Sequence, residues 1–208
     1  LPRSPFGKNL AVIKSNKTIW GIGRGTGGGF AITDSQGYQY SSPIQMAGGS
    51  GSWNQVGVGA EKSTIAVKGD GTLWAWGNNQ VGQIADNSRT ARSSPTQIPG
   101  TTWGTSSDTF SVKRYGGLII KTDGTLWSWG ENSYGIVGNN TADNKYSSPV
   151  QIPGTTWDKV NRGGQDVTGA IKTDGTLWMW GSNGSGQIGD NTNNPGAWGQ
   201  NGYSSPVQ

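Results

Sequence analysis

KTDGTLWSWG, Lys121 to Gly130, returns almost unchanged as KTDGTLWMWG at Lys172 to Gly181 and as KGDGTLWAWG at Lys68 to Gly77. In each copy two apolar runs flank an Asp-Gly pair, as in GAIK-TDGT-LWMW, the short-range signature of a β-hairpin. The glycine supplies the positive φ that a tight turn needs, and aspartate tolerates the neighbouring position. Side chains alternate along the second strand, so Trp178 and Trp180 share one face while Leu177 and Met179 share the other. Both faces are apolar, and such a strand must be covered on both sides. The residue between the two tryptophans changes from Ala75 to Ser128 to Met179, a variable filler beside fixed neighbours.

The phrase is one mark of a longer repeat. Its first tryptophan falls at Trp74, Trp127 and Trp178, spaced by 53 and 51 residues, and 54 residues before Trp74 stands Trp20 in the weaker copy KSNKTIWGIG. After each copy comes a second marker: YSSPIQ at Tyr40, RSSPTQ at Arg92, and YSSPVQ at Tyr146 and Tyr203. A third, IPGTTW, begins at Ile98 and Ile152, and LPRSPF at the start aligns with it, with Phe6 in the tryptophan position. The units read as 1–45, 46–97, 98–151 and 152–208, four whole repeats making one domain. Two further strands per unit fit TTWDKV and the proline marker, whose proline suits a strand start or an edge. The Gly- and Asn-rich stretch between hairpin and proline marker reads as a loop. Small sheets with two apolar faces hide them only by stacking on one another, as in a propeller or solenoid. The expected fold is therefore all-β and propeller-type. Its structural core would be Trp20, Trp74, Trp76, Trp127, Trp129, Trp178 and Trp180, the indoles filling the space between blades.

Composition narrows the function classes. The chain has 37 glycines and 11 tryptophans, and only 13% of its residues are charged, which disfavours long solvated helices. No run approaches the roughly 20 apolar residues of a membrane-spanning helix, so membrane insertion is not expected. The net charge is +4, but the basic residues are scattered and only Lys113-Arg114 are adjacent, which argues against nucleic acid. With no cysteine and no histidine, thiolate chemistry, disulfides and the usual zinc and acid–base residues are absent. The first residue is Leu, so the chain is expected to be a processed or excised piece of something longer.

DGTLWSWGENSYGIVG and DGTLWMWGSNGSGQIG resemble the repeat of the regulator of chromosome condensation family. The resemblance covers nearly the whole chain. It implies a β-propeller of four-stranded blades, commonly seven in number, so four units form a closed ring or part of a larger propeller or assembly. Unit one departs from the pattern, with Asn16-Lys17 for Asp-Gly and Ile22 for the second tryptophan. The family's namesake is a nucleotide exchange factor whose action depends on loops and an inserted wedge, and no stretch here matches them. The wording SSPVQIPGTTW is also similar to repeat proteins of bacteriophages and environmental bacteria. That likeness implies a virion or extracellular, cell-surface location.

Glycoside hydrolysis needs two carboxylates facing each other across a cleft, and no motif here recommends such a pair; Asp70, Asp123 and Asp174 are explained by their turns. GRGTGG at Gly23 to Gly28 matches a phosphate-loop spacing but precedes no helical pattern, and reads as a degenerate loop. No cofactor is expected; GDNTNN from Gly189 offers oxygen ligands that calcium could use, but its spacing matches no EF-hand. Lys14, Lys68, Lys121 and Lys172 recur once per unit and read as solvated strand ends, the alternative being a basic rim. Features that break the repeat are the better binding candidates, because the scaffold does not require them. These are Trp198 in the insertion NTNNPGAWGQNG, Arg114 and Tyr115 in KRY, and Asn132 and Tyr134 in the loop of unit three. The expected function is a non-enzymatic binding or structural module. Its partners would be other copies of itself, neighbouring structural proteins, a host receptor or a glycan. The alternative is a regulator or inhibitor that docks on an enzyme through propeller-face loops.

Overall fold

Each Asp-Gly phrase folds as a hairpin with a three-residue loop. At the second copy, Lys68 N–H bonds Thr72 O at 3.0 Å and Gly71 N–H bonds Lys68 O at 3.1 Å. Gly71, Gly124 and Gly175 hold φ of +79°, +78° and +83°, the left-handed residue that closes such a loop. The aspartate acts beside them: Asp123 Oδ1 accepts from Thr125 N at 3.0 Å and from its hydroxyl at 2.6 Å. Trp127 Nε1 donates to that same hydroxyl at 2.9 Å, so aspartate, threonine and the first tryptophan form one chain of bonds. Unit one keeps the device with other residues, Asn16 Oδ1 accepting from Thr18 and Lys17 taking a φ of +64°.

The computed structural model describes residues 9–24, 29–30, 39–46, 51–60, 62–142, 144–161, 166–192 and 202–208. The first sheet orders β1 (Leu10–Ile13), β2 (Ile19–Arg24) and β3 (Gln39–Gln45) side by side. The second runs β4 (Trp53–Val58), β5 (Ser63–Lys68), β6 (Leu73–Gly77) and β7 (Arg92–Ile98). The third runs β8 (Phe110–Lys113), β9 (Gly116–Ile120), β10 (Leu126–Glu131) and β11 (Lys145–Gln151). The fourth runs β12 (Trp157–Val160), β13 (Val167–Lys172), β14 (Leu177–Ser182) and β15 (Gly202–Val207). Every pairing is antiparallel between chain neighbours. No α-helix occurs among the described residues; the only helical turns there are short 3-10 segments at Ser107–Thr109 and Ser133–Gly135.

The outer strand of every sheet carries a bulge, as between Ala75 and Gly77 against β7 and between Ser128 and Gly130 against β11. The prolines lie inside these strands, not at their starts. They are tolerated because the strand is an edge and the ladder is interrupted there. The glycine of each Trp-Gly pair sits at the bulge with strongly positive φ, +104° at Gly130, where a Cβ would come within 2.0 Å of Tyr115 O.

Buried side chains fall into three clusters, one per joint between consecutive sheets. In the joint of the second and third sheets, Ile65, Val67, Leu73 and Ile98 of one meet Trp103, Phe110, Ile119 and Trp129 of the other. An aliphatic face thus packs against an aromatic one, and the next joint repeats the scheme with Leu118, Ile120 and Leu126 against Trp157, Ala170 and Trp180. The two faces of the LWxW strand serve two different joints. That is why both are apolar.

Candidate functional site

The joints are specific as well as apolar. Trp76, Trp129 and Trp180 are fully buried, and each indole N–H crosses to a backbone carbonyl of the preceding sheet's loop. The acceptors are Gly29 O at 3.2 Å, Gln83 O at 3.0 Å and Ile136 O at 3.1 Å. A second bond runs between loop and outer strand: Asn87 N–H to Ser147 O at 2.7 Å, and Asn140 N–H to Ser204 O at 2.6 Å. The glycines of these loops permit the approach, since a Cβ on Gly82 or Gly135 would meet the next outer strand at 2.7 or 2.4 Å.

The loops are organised by a buried asparagine. Val137 N–H donates to Asn132 Oδ1 at 2.8 Å, and Asn132 Nδ2 donates to Thr141 O at 3.0 Å. Asn79 and Asn183 do the same for Ile84 and Ile188. Asn132 is thus a loop-building residue with no exposed surface. Its recurrence three residues after the second tryptophan was the signal available in sequence. Tyr134 is half-buried in the 3-10 turn at a φ of +60°. A Cβ on Gly202 of β15 would lie 2.6 Å from its carbonyl, so this turn presses on the fourth sheet. Arg114 and Tyr115 form the corner between β8 and β9, with the guanidinium 4.7 Å from the Tyr115 ring centroid. Glu131 N–H bonds Tyr115 O at 3.2 Å, which brings this corner to the same end of the sheet as the Asn132 loop. Trp198 and the last part of GRGTGG lie outside the described residues.

The recurring lysines lie on indoles. Lys121 Nζ is 4.5 Å from the Trp103 ring and 4.4 Å from that of Trp127, which meet edge to face at 6.1 Å. Lys68 and Lys172 repeat this over Trp53–Trp74 and Trp157–Trp178, and Lys14 lies 3.6 Å over Trp20. The ammonium–ring attraction fixes each lysine beside its own hairpin. The hydroxyl of Thr125, then its N–H, and more weakly Lys121 hold the Asp123 carboxyl below its ordinary range, and Asp70 and Asp174 follow suit. Paired charges result in three units, with Asp70, Asp123 and Asp174 two residues after Lys68, Lys121 and Lys172, while Lys14 is followed by Asn16.

Among the described residues no group of three His, Cys, Asp or Glu could hold a metal. At the calcium candidate, Asp190 is engaged by the Tyr203 hydroxyl and by Thr192, which together bring its carboxyl down to about 2. Asp86 in the second sheet is pushed up by partial burial, but bonds from Ser88 and Arg92 outweigh that and keep it below its ordinary value.

The fourth sheet presents the aliphatic half of a joint without the aromatic half. Leu177 is 55% exposed, whereas its counterparts Leu73 and Leu126 are 0% exposed. Gly189 has nothing within 4 Å of where its Cβ would stand, and Gly186 only Thr192 O at 3.7 Å. Gln187 O and Asn191 N–H occupy the places whose counterparts bond the following sheet in the other joints.

The Regulator of chromosome condensation (RCC1) repeat matches residues 70–105 and 123–165, and a second form of it matches 53–83 and 109–136. Together these cover more than half of the chain, which belongs to the RCC1 repeat family. The chain is 29% identical over 142 residues to the Arabidopsis thaliana ultraviolet-B receptor UVR8, covering 66% of this chain and 31% of the receptor. It is 25% identical over 139 residues to the human E3 ubiquitin-protein ligase HERC2, covering 64% of this chain and 3% of the ligase. Among solved structures, Saccharomyces cerevisiae Prp20p aligns with a TM-score of 0.75 at 16% identity, over 96% of this chain and 48% of Prp20p. Human WBSCR16 aligns with a TM-score of 0.73 at 18% identity, over 96% and 49%. The fold is a partial RCC1-type β-propeller, about half the length of these solved propellers, and its four sheets are blades.

Proposed function

We propose that this chain is a non-enzymatic, protein-binding scaffold, and that the aliphatic face of its fourth blade is where it binds. The observation that carries this reading is Leu177, a large apolar side chain 55% exposed at a position its two counterparts bury completely. Around it Gln187 O and Asn191 N–H are placed to receive an indole donor and an outer-strand carbonyl, as in the internal joints. The face therefore takes another apolar, strand-edged protein surface of blade type, whether a following blade of a longer chain or a second copy of this one. The first blade turns Val12 and Trp20 away from its joint with the second, and carries Ser41 on its outer strand. Ile22 stands there in place of the buried tryptophan and offers no N–H, so this contact is weaker than the internal joints and depends on concentration.

Protein binding agrees with a solved relative, since Prp20p is described by its binding to Gsp1p and histones. The turn aspartates, each engaged by its own threonine, serve the hairpins. Display of such assemblies on a virion or cell surface rests on the likeness of SSPVQIPGTTW to phage and bacterial repeat proteins. Fractionating the native source tests that location.

Sedimentation of wild type and Leu177→Asp over a range of concentrations tests the binding face. Wild type should self-associate, and the variant should remain monomeric with the unfolding midpoint that wild type shows at concentrations too low for association, because Leu177 is not part of the core. Equal association of the two proteins would contradict the assignment.

A further inference from the structure

Lys113 ends β8 of the third blade, and its side chain is buried in the joint with the fourth. Nζ donates to Ile136 O at 2.8 Å and to Thr168 Oγ1 at 2.8 Å. Ile136 O also accepts the Trp180 indole at 3.1 Å and the Thr168 hydroxyl at 3.1 Å, so the lysine is built into the centre of the joint. The joint of the second and third blades lacks it. By strand register its counterpart in the second blade is Gly59, and there Gln83 O receives the Trp129 indole without a cation. The repeat does not require Lys113, and a buried methylene chain ending in methyl would pack the same space.

The titratable neighbours do not compensate its charge. On its own corner stand Arg114 and Tyr115, and Lys62 follows the second blade's β4–β5 corner. Glu131 ends β10, and Tyr134 lies in the 3-10 turn that follows. From the fourth blade come Asp158 and Lys159 on β12, Asp166 before β13, and Lys172 at its end. Among the described residues none forms an ion pair with Lys113.

We propose that Lys113 is a proton-operated latch between the third and fourth blades, closed while its amine is neutral and weakened when it takes up a proton. A neutral amine has two N–H groups, and the joint provides two acceptors for them. An ammonium brings a third N–H and a charge with no counter-ion into a site shielded from water. Burial pulls the amine down from 10.5 to about 7, which places the change near neutrality. The sign follows. Below about 7 folded and unfolded chains both carry the proton and the full cost is present. Between about 7 and 10.5 only the unfolded chain binds it, so stability rises with pH, and above that window the slope vanishes.

The test is urea unfolding of wild type and Lys113→Met at intervals from pH 6 to 10. The wild-type unfolding constant should fall about tenfold per pH unit relative to the variant's over that window, the slope of one proton. Exchange of the Trp180 indole N–H, compared with that of Trp129, locates the effect: as pH falls, Trp180 should lose protection first. Lys113→Gln, which keeps two N–H donors and cannot be charged, carries the same expectation should the Met variant fail to fold. A slope that persists unchanged in both variants, or a wild type parallel to them, would overturn the proposal.

Discussion

Ser128 sits between the two tryptophans of the third blade, where the second blade has Ala75. Its hydroxyl is fully buried, and no hydrogen-bond partner is present among the described residues. A buried polar atom left unpaired costs about 1–3 kcal/mol, and alanine is already proven in the same slot one blade earlier. Ser128→Ala should therefore raise stability by about 1 kcal/mol in denaturant unfolding, and a loss of stability would mean the hydroxyl has a partner. Single residues also mark the limit of sequence reading. The variable filler and the fixed indoles were legible from alternation alone. That Trp129 reaches a carbonyl of the preceding blade was not, because the acceptor is a backbone atom 46 residues away and carries no sequence mark.

At the scale of the element, the hairpin and the loop after it differ in how plainly they announce themselves. Asp-Gly between apolar runs identifies the hairpin, and its aspartate–threonine–indole chain explains why Thr recurs as well. The loop resembles any polar connection until Asn132 is seen to bond both of its ends. An asparagine in a Gly-rich loop reads as exposed by composition; burial and two satisfied ends make it architecture. Asn132→Ala leaves Val137 N–H and Thr141 O without this partner and should cost about 2 kcal/mol. Urea unfolding followed by tryptophan fluorescence measures it, and an unchanged midpoint would return Asn132 to the list of surface contacts. Arg114 and Tyr115 are half-buried at the corner between β8 and β9, and Tyr134 is held by the contact of its turn with β15.

For the whole molecule, four copies of one unit make three equivalent joints and one aliphatic face left open on the fourth blade. The all-β stack was readable because a strand with two apolar faces must be covered on both, and a repeat of Asp-Gly hairpins with no helical pattern leaves other small sheets to cover it. The identity of the buried lysine's neighbours was not, since they come from two blades 23 and 55 residues away. Stability in such a stack is the sum of blades and the joints between them, so one indole governs two blades at once.

KTDGTLWSWG works as the joint between blades, its indoles packed against the neighbouring sheet. Trp129 tests it most directly, being 1% exposed and bonded to Gln83 O across the second joint. Equilibrium unfolding of Trp129→Ala should show a loss of about 3–5 kcal/mol, the cost of deleting a large buried aromatic. An unfolding curve identical to wild type would contradict the account.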